Sequence, residues 1–384
     1  MNTSYSKKKK NKKKFLNEYK NLISKNNNAS EIINSWKINY KYSYSSKSLN
    51  VFKNNNNIRI FGMGGSSLGS KAIHDFLTHK VKKKINFIDN IVPGKVLNKK
   101  KKYLNLIISK SGNTLETIVN SNLYINNKDA NIIITEKSKS LITQIANQLK
   151  CDIVEHNNFI GGRYSVLSET GMLPTYLMGL NPNKFKVYNN LIKNKKFINN
   201  LISSTSSIFY FMQNKYTNSI ILNYDEKSDS LFKWYQQLVG ESLGKKGKGI
   251  LPMISTMPKD NHSLLQYYLD GPKKSFYTIF SVNEKSIKRK NKFKLSKPFN
   301  KFTETNPNKI LYSQKHAIEN IFDKKNIPYR SINVLERSEV VMGELFCFFM
   351  LETILLGRAL KINPLNQPSV EIVKKKVSQI LLKT

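Results

Sequence analysis

Short apolar runs recur along this chain of 384 residues, and a helix-compatible or loop-like stretch separates each run from the next. Runs that alternate with helices in this way are typical of a parallel sheet with both faces covered. The pattern breaks in the Asn- and Lys-rich stretch Asn181–Asn200 and then resumes, which predicts two α/β units. The predicted strands are Ile58–Met63, Ile85–Asp89, Leu104–Ser109, Ile132–Thr135 and Asp152–Glu155, then Ser219–Asn223, Ile250–Ser255, Phe276–Ser281 and Tyr329–Val334.

We expect the chain to be organised in six consecutive segments. The run KKKKNKKK at 7–14 predicts a disordered tail, with a nuclear or RNA-binding tail as the alternative. Glu284–Asn308 is rich in Lys and Pro and predicts a surface loop, and Leu345–Leu356, which Glu352 interrupts, predicts a buried core helix. The segments are a Lys-rich tail at 1–14, helices at 15–57, a first α/β domain at 58–180, a helical connector at 181–205, a second α/β domain at 206–341 and C-terminal helices at 342–384.

The chain is strongly basic, with 64 Lys and Arg against 25 Asp and Glu and a formal net charge of +39. Such a charge would suit a nucleic acid or an anionic membrane surface as a partner. The surplus is largely lysine, however, and it is dispersed and accompanied by abundant Asn and Ile, as in proteins from AT-rich genomes. We therefore expect solvated lysines and neither a nucleic-acid nor a membrane partner.

The two cysteines, Cys151 and Cys347, lie in apolar surroundings and show no CxxC or Cys/His spacing. This pattern predicts neither a disulfide framework nor a metal site, and it is typical of a reducing compartment. No apolar stretch follows the lysine-rich start, as one would in a signal peptide. We expect a cytoplasmic protein.

The segment FGMGGSSLGS at 61–70 follows a predicted strand and should open a helix. Its glycines expose backbone N–H groups where the helix dipole favours an anion. A dinucleotide fingerprint would need a glycine at position 67, where Ser67 stands, although Asp89 lies where a ribose-binding acid could sit. Ser66 and Ser67 instead favour a hydroxylated or phosphorylated small molecule, and a purely structural turn is a further alternative.

The segment ISKSGNTLETI at 108–118 also follows an apolar run. It places Ser109, Ser111 and Thr114 at a helix start with Lys110 beside them. Several hydroxyl and amide donors at one helix end, with a cation nearby, suit a phosphate monoester. Ordinary helix capping is the alternative, because Ser and Thr favour the N-cap position anyway.

Two further segments carry charged side chains suited to acid–base chemistry. In GGRYSVLSETGMLP at 161–174, two glycines allow close backbone approach and Arg163 supplies a planar cation for an oxyanion. In WYQQLVGESLGKKGKG at 234–249, Glu241 ends an apolar helix-like run. A carboxylate in a partly apolar cleft has a raised pKa and can act as a base, whereas on its own Glu241 would be a surface helix residue.

The last two candidates are weaker by pattern alone. In NPLNQPSVEIVKKKV at 363–377, Gln367 and Lys374 share a face if a helix begins near Val370, although a lysine within KKK is usually a solvated charge. His262 follows a predicted strand and begins a helix-like run, the place where an α/β fold presents side chains to its cleft.

Together these segments resemble the phosphoglucose isomerase family over about residues 58–376, most specifically in GGRYSVLSETG and in the Gln–x–x–Val–Glu–x–x–Lys pattern at 367–374. The resemblance implies an α/β fold with two doubly wound, flavodoxin-like parallel-sheet sugar-isomerase domains. It implies catalytic roles for Glu241 as base, His262 in ring opening, Lys374 at the sugar ring and Arg163 on the intermediate. The residues that it places on the substrate are Gly65, Ser66, Ser109, Lys110, Ser111, Thr114, Gln237 and Gln367.

The implied reaction interconverts glucose 6-phosphate and fructose 6-phosphate through a cis-enediol, without metal or cofactor. The resemblance also implies a homodimer in which His262 comes from the neighbouring subunit. Asn366 and Ser369 depart from the family pattern, so the positioning of Lys374 is open at this point. The alternatives are an isomerase that also accepts mannose 6-phosphate and a non-catalytic regulator that binds a sugar phosphate.

Overall fold

A computed structural model describes residues 11–24, 29–94, 101–284, 296–297 and 306–381. Its strands form two fully parallel sheets, with strand order β2-β1-β3-β4-β5 in the first and β7-β6-β8-β9 in the second. The strands are β1 (Asn57–Phe61), β2 (Lys84–Ile88), β3 (Leu104–Ile108), β4 (Ala130–Thr135), β5 (Asp152–Glu155), β6 (Asn218–Asn223), β7 (Leu251–Thr256), β8 (Ser275–Val282) and β9 (Tyr329–Val334). The order of the first sheet is that of flavodoxin-like folds, so the expected doubly wound fold class is confirmed.

Helices cover the faces of both sheets. They are α1 (Lys12–Ile23), α2 (Ser30–Asn34), α3 (Leu68–Phe76), α4 (Leu115–Tyr124), α5 (Leu141–Leu149), α6 (Glu169–Leu177), α7 (Tyr188–Leu191), α8 (Lys195–Gln213), α9 (Asp229–Leu243), α10 (Leu265–Asp270), α11 (Pro307–Lys324), α12 (Glu339–Ala359) and α13 (Pro368–Leu381). Short 3₁₀ turns at Gly64–Ser66, Gly162–Leu167 and Lys259–His262 lie next to the motifs singled out in the sequence.

All nine predicted strands are present, with ends within two residues of the expected positions. Helix boundaries were harder to predict. Helix α1 begins at Lys12, so 12–14 are helical and that part of the tail prediction is wrong; residues 1–10 lie outside the described residues. Helix α8 runs across position 205 without a break. Most of Glu284–Asn308 also lies outside the described residues, and its last two residues begin α11.

One continuous apolar core joins the two sheets, because side chains from β1, β3, β6 and β8 belong to the same packed cluster. The N-terminal segment, which reads as polar, contributes to it: Phe15, Leu22 and Trp36 are fully buried. Helix α12 is long and apolar enough to cross a membrane by length and composition, but 83% of its most apolar window is buried in the protein. As expected for Leu345–Leu356, it is a core helix.

The fold places the motif-bearing loops at one end of the first sheet. The 3₁₀ turn Gly64–Ser66 follows β1, and the loop 109–114 follows β3, which is the neighbour of β1. Strand order reverses at this point, so the two loops flank the crevice in which doubly wound folds bind ligands. The turns Gly64–Ser66 and Gly162–Leu167 contact each other, and both contact α9 of the second unit.

Candidate active site

Two glycine-containing backbones touch at the centre of the site. A Cβ atom on Gly65 would lie 2.2 Å from the carbonyl carbon of Gly162 and 2.7 Å from the backbone nitrogen of Arg163. No side chain fits in such a contact, so glycine is required at position 65 for the loop after β1 to reach Arg163. Ser66 lies beside it, half-buried at the end of its 3₁₀ turn.

Arg163 is buried, with only 2% of its surface exposed, and its guanidinium donates to groups from two other parts of the chain, the end of α9 and the turn at 364–367. Nε donates to the Ser242 hydroxyl at 2.7 Å, and Nη1 donates to Gln367 Oε1 at 2.6 Å. Nη2 donates to the backbone carbonyls of Pro364 at 2.7 Å and Asn366 at 3.0 Å. The arginine is therefore fixed in position, with its planar fork used on several acceptors at once.

Glu241 lies next to this arginine on the last turn of α9. Its Oε2 is 3.2 Å from Arg163 Nη1, and its Oε1 accepts from the side-chain amide of Gln237 at 2.9 Å. Gln237 lies one helical turn earlier and packs against Gly64, where a Cβ would come within 2.7 Å of its Nε2. The other amide atom, Gln237 Oε1, is a buried acceptor without a hydrogen-bond partner among the described residues. A ligand hydroxyl could satisfy it.

The loop after β3 contains several hydroxyl groups and leads into the first turn of α4. The hydroxyls of buried Ser109 and of Thr114 are 2.9 Å apart, and Thr114 makes no side-chain cap to α4, so the first amides of that helix have no side-chain acceptor among the described residues. Ser111 is exposed and accepts weakly from the amide of Asn113. The ammonium of Lys110 is engaged elsewhere, 2.7 Å from the carbonyl of Asn158 and 3.3 Å from Glu136.

Two predicted residues do not join the site within this chain. His262 is exposed at the end of the 3₁₀ turn after β7, and no hydrogen bond links it to Arg163 or Glu241 in the described part of the chain. Lys374 is exposed on α13, where its ammonium pairs with Glu371 at 2.8 Å. Helix α13 buries none of its residues in this single chain.

Several contacts of the site were not predicted from the sequence. Ser242 and Tyr164 share a hydrogen bond of 3.0 Å beneath the guanidinium, and the indole of Trp234 donates to the carbonyl of Arg163 at 3.2 Å. Ser242 could have been noticed because it follows Glu241 directly. The departure at Asn366 has no effect on the contact with Arg163, because that contact uses the backbone carbonyl, which any residue supplies.

Comparisons with known proteins agree on one family. A sequence model described as phosphoglucose isomerase matches residues 7–251. The chain is 32% identical to the glucose-6-phosphate isomerase of Methanocaldococcus jannaschii, over 95% of this chain and 93% of the relative. It is 31% identical to the glucose-6-phosphate isomerase of Mycoplasmopsis pulmonis, over 84% and 82% of the two chains.

Solved structures share the fold at lower identity. The crystal structure of a hypothetical protein from Thermus thermophilus superposes with a TM-score of 0.81 at 18% identity, covering 96% of this chain and 95% of the other. The crystal structure of a glucose-6-phosphate isomerase from Chlamydia trachomatis superposes with a TM-score of 0.69 at 18% identity, covering 92% of this chain and 74% of the other. The sequence matches define an isomerase, and the structure shows that it is built on two parallel sheets. With the sequence matches, the chain belongs to the phosphoglucose isomerase family.

Proposed function

We propose that this protein interconverts glucose 6-phosphate and fructose 6-phosphate, the sugar phosphates for which its relatives are named. The observation that carries the proposal is the carboxylate of Glu241 held 3.2 Å from the fully engaged guanidinium of Arg163. An aldose–ketose isomerisation moves a proton between two neighbouring carbons and passes through a negatively charged intermediate. One base and one fixed cation side by side are suited to that chemistry.

In this mechanism Glu241 takes the proton from C2 of the open-chain aldose and returns it to C1. The electron pair of the C2–H bond forms the C1–C2 double bond as the π pair of the C1 carbonyl moves onto O1, which gives a cis-enediolate with its charge on oxygen. The proton of the C2 hydroxyl passes to O1, so that C2 becomes the carbonyl carbon when C1 receives its proton. Arg163 stabilises that oxygen with the Nη1 donor that faces Glu241, while its other four donors, bound to Ser242, Gln367 and the carbonyls of Pro364 and Asn366, keep the guanidinium fixed. Gln237 Oε1 accepts from a sugar hydroxyl.

The phosphate is bound at the 109–114 loop, which connects the end of β3 to the start of α4. The hydroxyls of Ser109, Ser111 and Thr114 and the first amides of α4 supply the donors, and the dipole of the helix favours the dianion. Lys110 reaches the phosphate directly only by leaving Glu136 and Asn158. Phosphate binding far from the reacting carbons supplies binding energy that orients the sugar.

Two further residues complete the site in a homodimer. His262 comes from the second subunit, and Lys374 comes from the C-terminal helix α13. The support is that α13 exposes Val373, Val377 and Ile380 along one side while none of its residues is buried in the single chain. In the dimer His262 of one subunit enters the neighbour's cleft and, with Lys374, moves the protons that open the sugar ring. The proposal includes a cytoplasmic location and needs no metal or cofactor.

The test is turnover of fructose 6-phosphate, read through a coupled dehydrogenase, for the wild type and for Glu241→Gln. The amide keeps the size and the contact with Gln237 but cannot accept the C2 proton, so kcat should fall by about 10³-fold or more with a modest change in KM. Near-normal turnover by Glu241→Gln would contradict the assignment of the base. If the wild type binds the sugar phosphate without turning it over, the result would favour a non-catalytic regulator. If it turns over mannose 6-phosphate as fast as fructose 6-phosphate, the result would favour a dual isomerase.

A mixing experiment tests donation of His262 between subunits. Glu241→Gln and His262→Ala are each expected to be inactive, and co-refolded mixtures should regain activity. A mixed dimer contains one site with an intact Glu241 from one subunit and an intact His262 from the other. If both residues came from the same chain, no mixed site would be complete, and mixtures would stay as inactive as the separate variants.

A further inference from the structure

Lys245 makes two short hydrogen bonds that neither the motifs nor the proposed mechanism uses. It lies four residues after Glu241, in the loop that follows α9, and its ammonium donates to the backbone carbonyls of Asn363 at 2.6 Å and Asn366 at 2.5 Å. Both acceptors belong to the turn between α12 and α13. Hydrogen bonds from a charged donor are roughly twice as strong as neutral ones.

The same turn is held from the other side by Arg163, whose Nη2 donates to the carbonyls of Pro364 and Asn366. The carbonyl of Asn366 therefore accepts from both cations. The next residue, Gln367, is bound to Arg163 Nη1 at 2.6 Å, and α13 begins directly after it. Arg163 and Lys245 thus both bind the turn that carries Gln367 and leads to Lys374.

We propose that Lys245 is a positioning residue of this isomerase site, which clamps the 363–367 turn so that Gln367 stays on Arg163 and α13 starts in one orientation. This role rests on the proposed function, since the groups it positions are assigned there. Lys245 does not touch the reacting atoms in this scheme. It links the segment that bears the base to the segment that bears Gln367 and Lys374.

The charge of Lys245 gives the clamp a distinctive pH dependence. Burial lowers the pKa of its ammonium from the ordinary 10.5 to about 8; the charge of Arg163 adds to this effect and that of Glu241 opposes it. The turn at 363–367 contains no titratable side chain, and the neighbouring lysines Lys246 and Lys248 belong to the same loop as Lys245. Loss of the proton above about pH 8 should weaken the clamp, and activity should decline there.

Three variants test the proposal. Lys245→Met removes the donor, and Lys245→Arg keeps a charged donor that does not titrate in this range. Lys246→Met is the matched control, because it removes the same charge from the next residue, which is exposed. Each is assayed for kcat and KM with fructose 6-phosphate as a function of pH. Hydrogen–deuterium exchange of peptides spanning 360–381 reports on the turn without requiring activity.

For Lys245→Met we expect about tenfold lower kcat, little change in KM and faster exchange at 363–369. Lys246→Met should behave as wild type. Lys245→Arg should recover kcat and shift the alkaline decline to higher pH. The proposal is overturned if Lys245→Met matches Lys246→Met in exchange and kcat, or if the alkaline decline stays in place in Lys245→Arg. If the wild type does not turn over sugar phosphate, the proposed function fails, while exchange still decides whether Lys245 clamps the turn.

Discussion

Substitution of either member of one buried ion pair, which joins the second sheet to the core helix α12, should lower the free energy of unfolding strongly. Arg330 on β9 and Glu352 on α12 are each 1% exposed, and Nη1 of the arginine is 2.6 Å from Oε1 of the glutamate. The arginine Nε also donates to the Thr278 hydroxyl at 3.0 Å, and the Ser204 hydroxyl donates to the carboxylate. Removing either partner alone leaves a charge without its counter-ion in an apolar interior.

We expect Arg330→Met and Glu352→Met each to lower the free energy of unfolding by about 3–5 kcal/mol. The double variant should lose no more than one single variant, because two apolar side chains of similar length leave no uncompensated charge there. The coupling energy of the pair would then be about 3 kcal/mol or more, at the upper end of values for residues in contact.

Urea unfolding followed by tryptophan fluorescence suits the measurement, because Trp36 in the N-terminal segment and Trp234 on α9 are both buried in the core. Coincident transitions by fluorescence and circular dichroism would justify a two-state analysis. The control is Asp270→Asn, which breaks a pair with Lys325 of similar length, 2.7 Å, but with both side chains about half exposed; it should change stability little. Single losses below about 1 kcal/mol, or strictly additive losses, would refute the reasoning.

Two further predictions concern the site and a buried lysine of the connector, Lys186. Gly65→Ala should lose most activity and destabilise the fold, because its Cβ would lie 2.2 Å from Gly162, whereas Gly161→Ala, with a nearest atom at 3.8 Å, should unfold like the wild type; equal thermal unfolding of the two variants would contradict this. Burial lowers the pKa of Lys186 from the ordinary 10.5 to about 7. Between those values the unfolded chain binds more protons, so Lys186 makes the free energy of unfolding rise with pH, by at most about 1.4 kcal/mol per unit. Lys186→Met should remove this rise, and equal slopes in urea titrations of wild type and variant would show otherwise.

The strands were predictable because a strand buried on both faces needs a continuous apolar run. The run at Ile132–Thr135 is such a case, and the structure extends it only to Ala130. Helix boundaries were less predictable, because a helix can continue through polar residues when its other face is covered. Lys12–Lys14 are helical for this reason: α1 buries Phe15, Tyr19 and Leu22 in the core.

The sequence also showed that Glu352 interrupts an apolar helix, but it did not show what would receive the charge. The partner, Arg330, lies on a strand 22 residues earlier, and only the packing of α12 on the second sheet brings the two together. Residue type predicts that a buried carboxylate needs a counter-ion. The identity of that counter-ion depends on the relative position of two elements, which local pattern does not contain.

The candidate site, too, was predictable in part from the sequence and in part only from the tertiary structure. By itself the sequence determined the alternation of strands and helices and the chemical types available, such as a glycine loop, a hydroxyl-rich loop, an arginine and a glutamate. Only the tertiary structure decided that Arg163 meets Glu241 and Gln367, residues 78 and 204 positions away, and that backbone carbonyls at 364 and 366 hold it. The physical reason is that a carbonyl is present at every residue, so its role as an acceptor leaves no trace in the sequence and arises only when folding brings a donor to it.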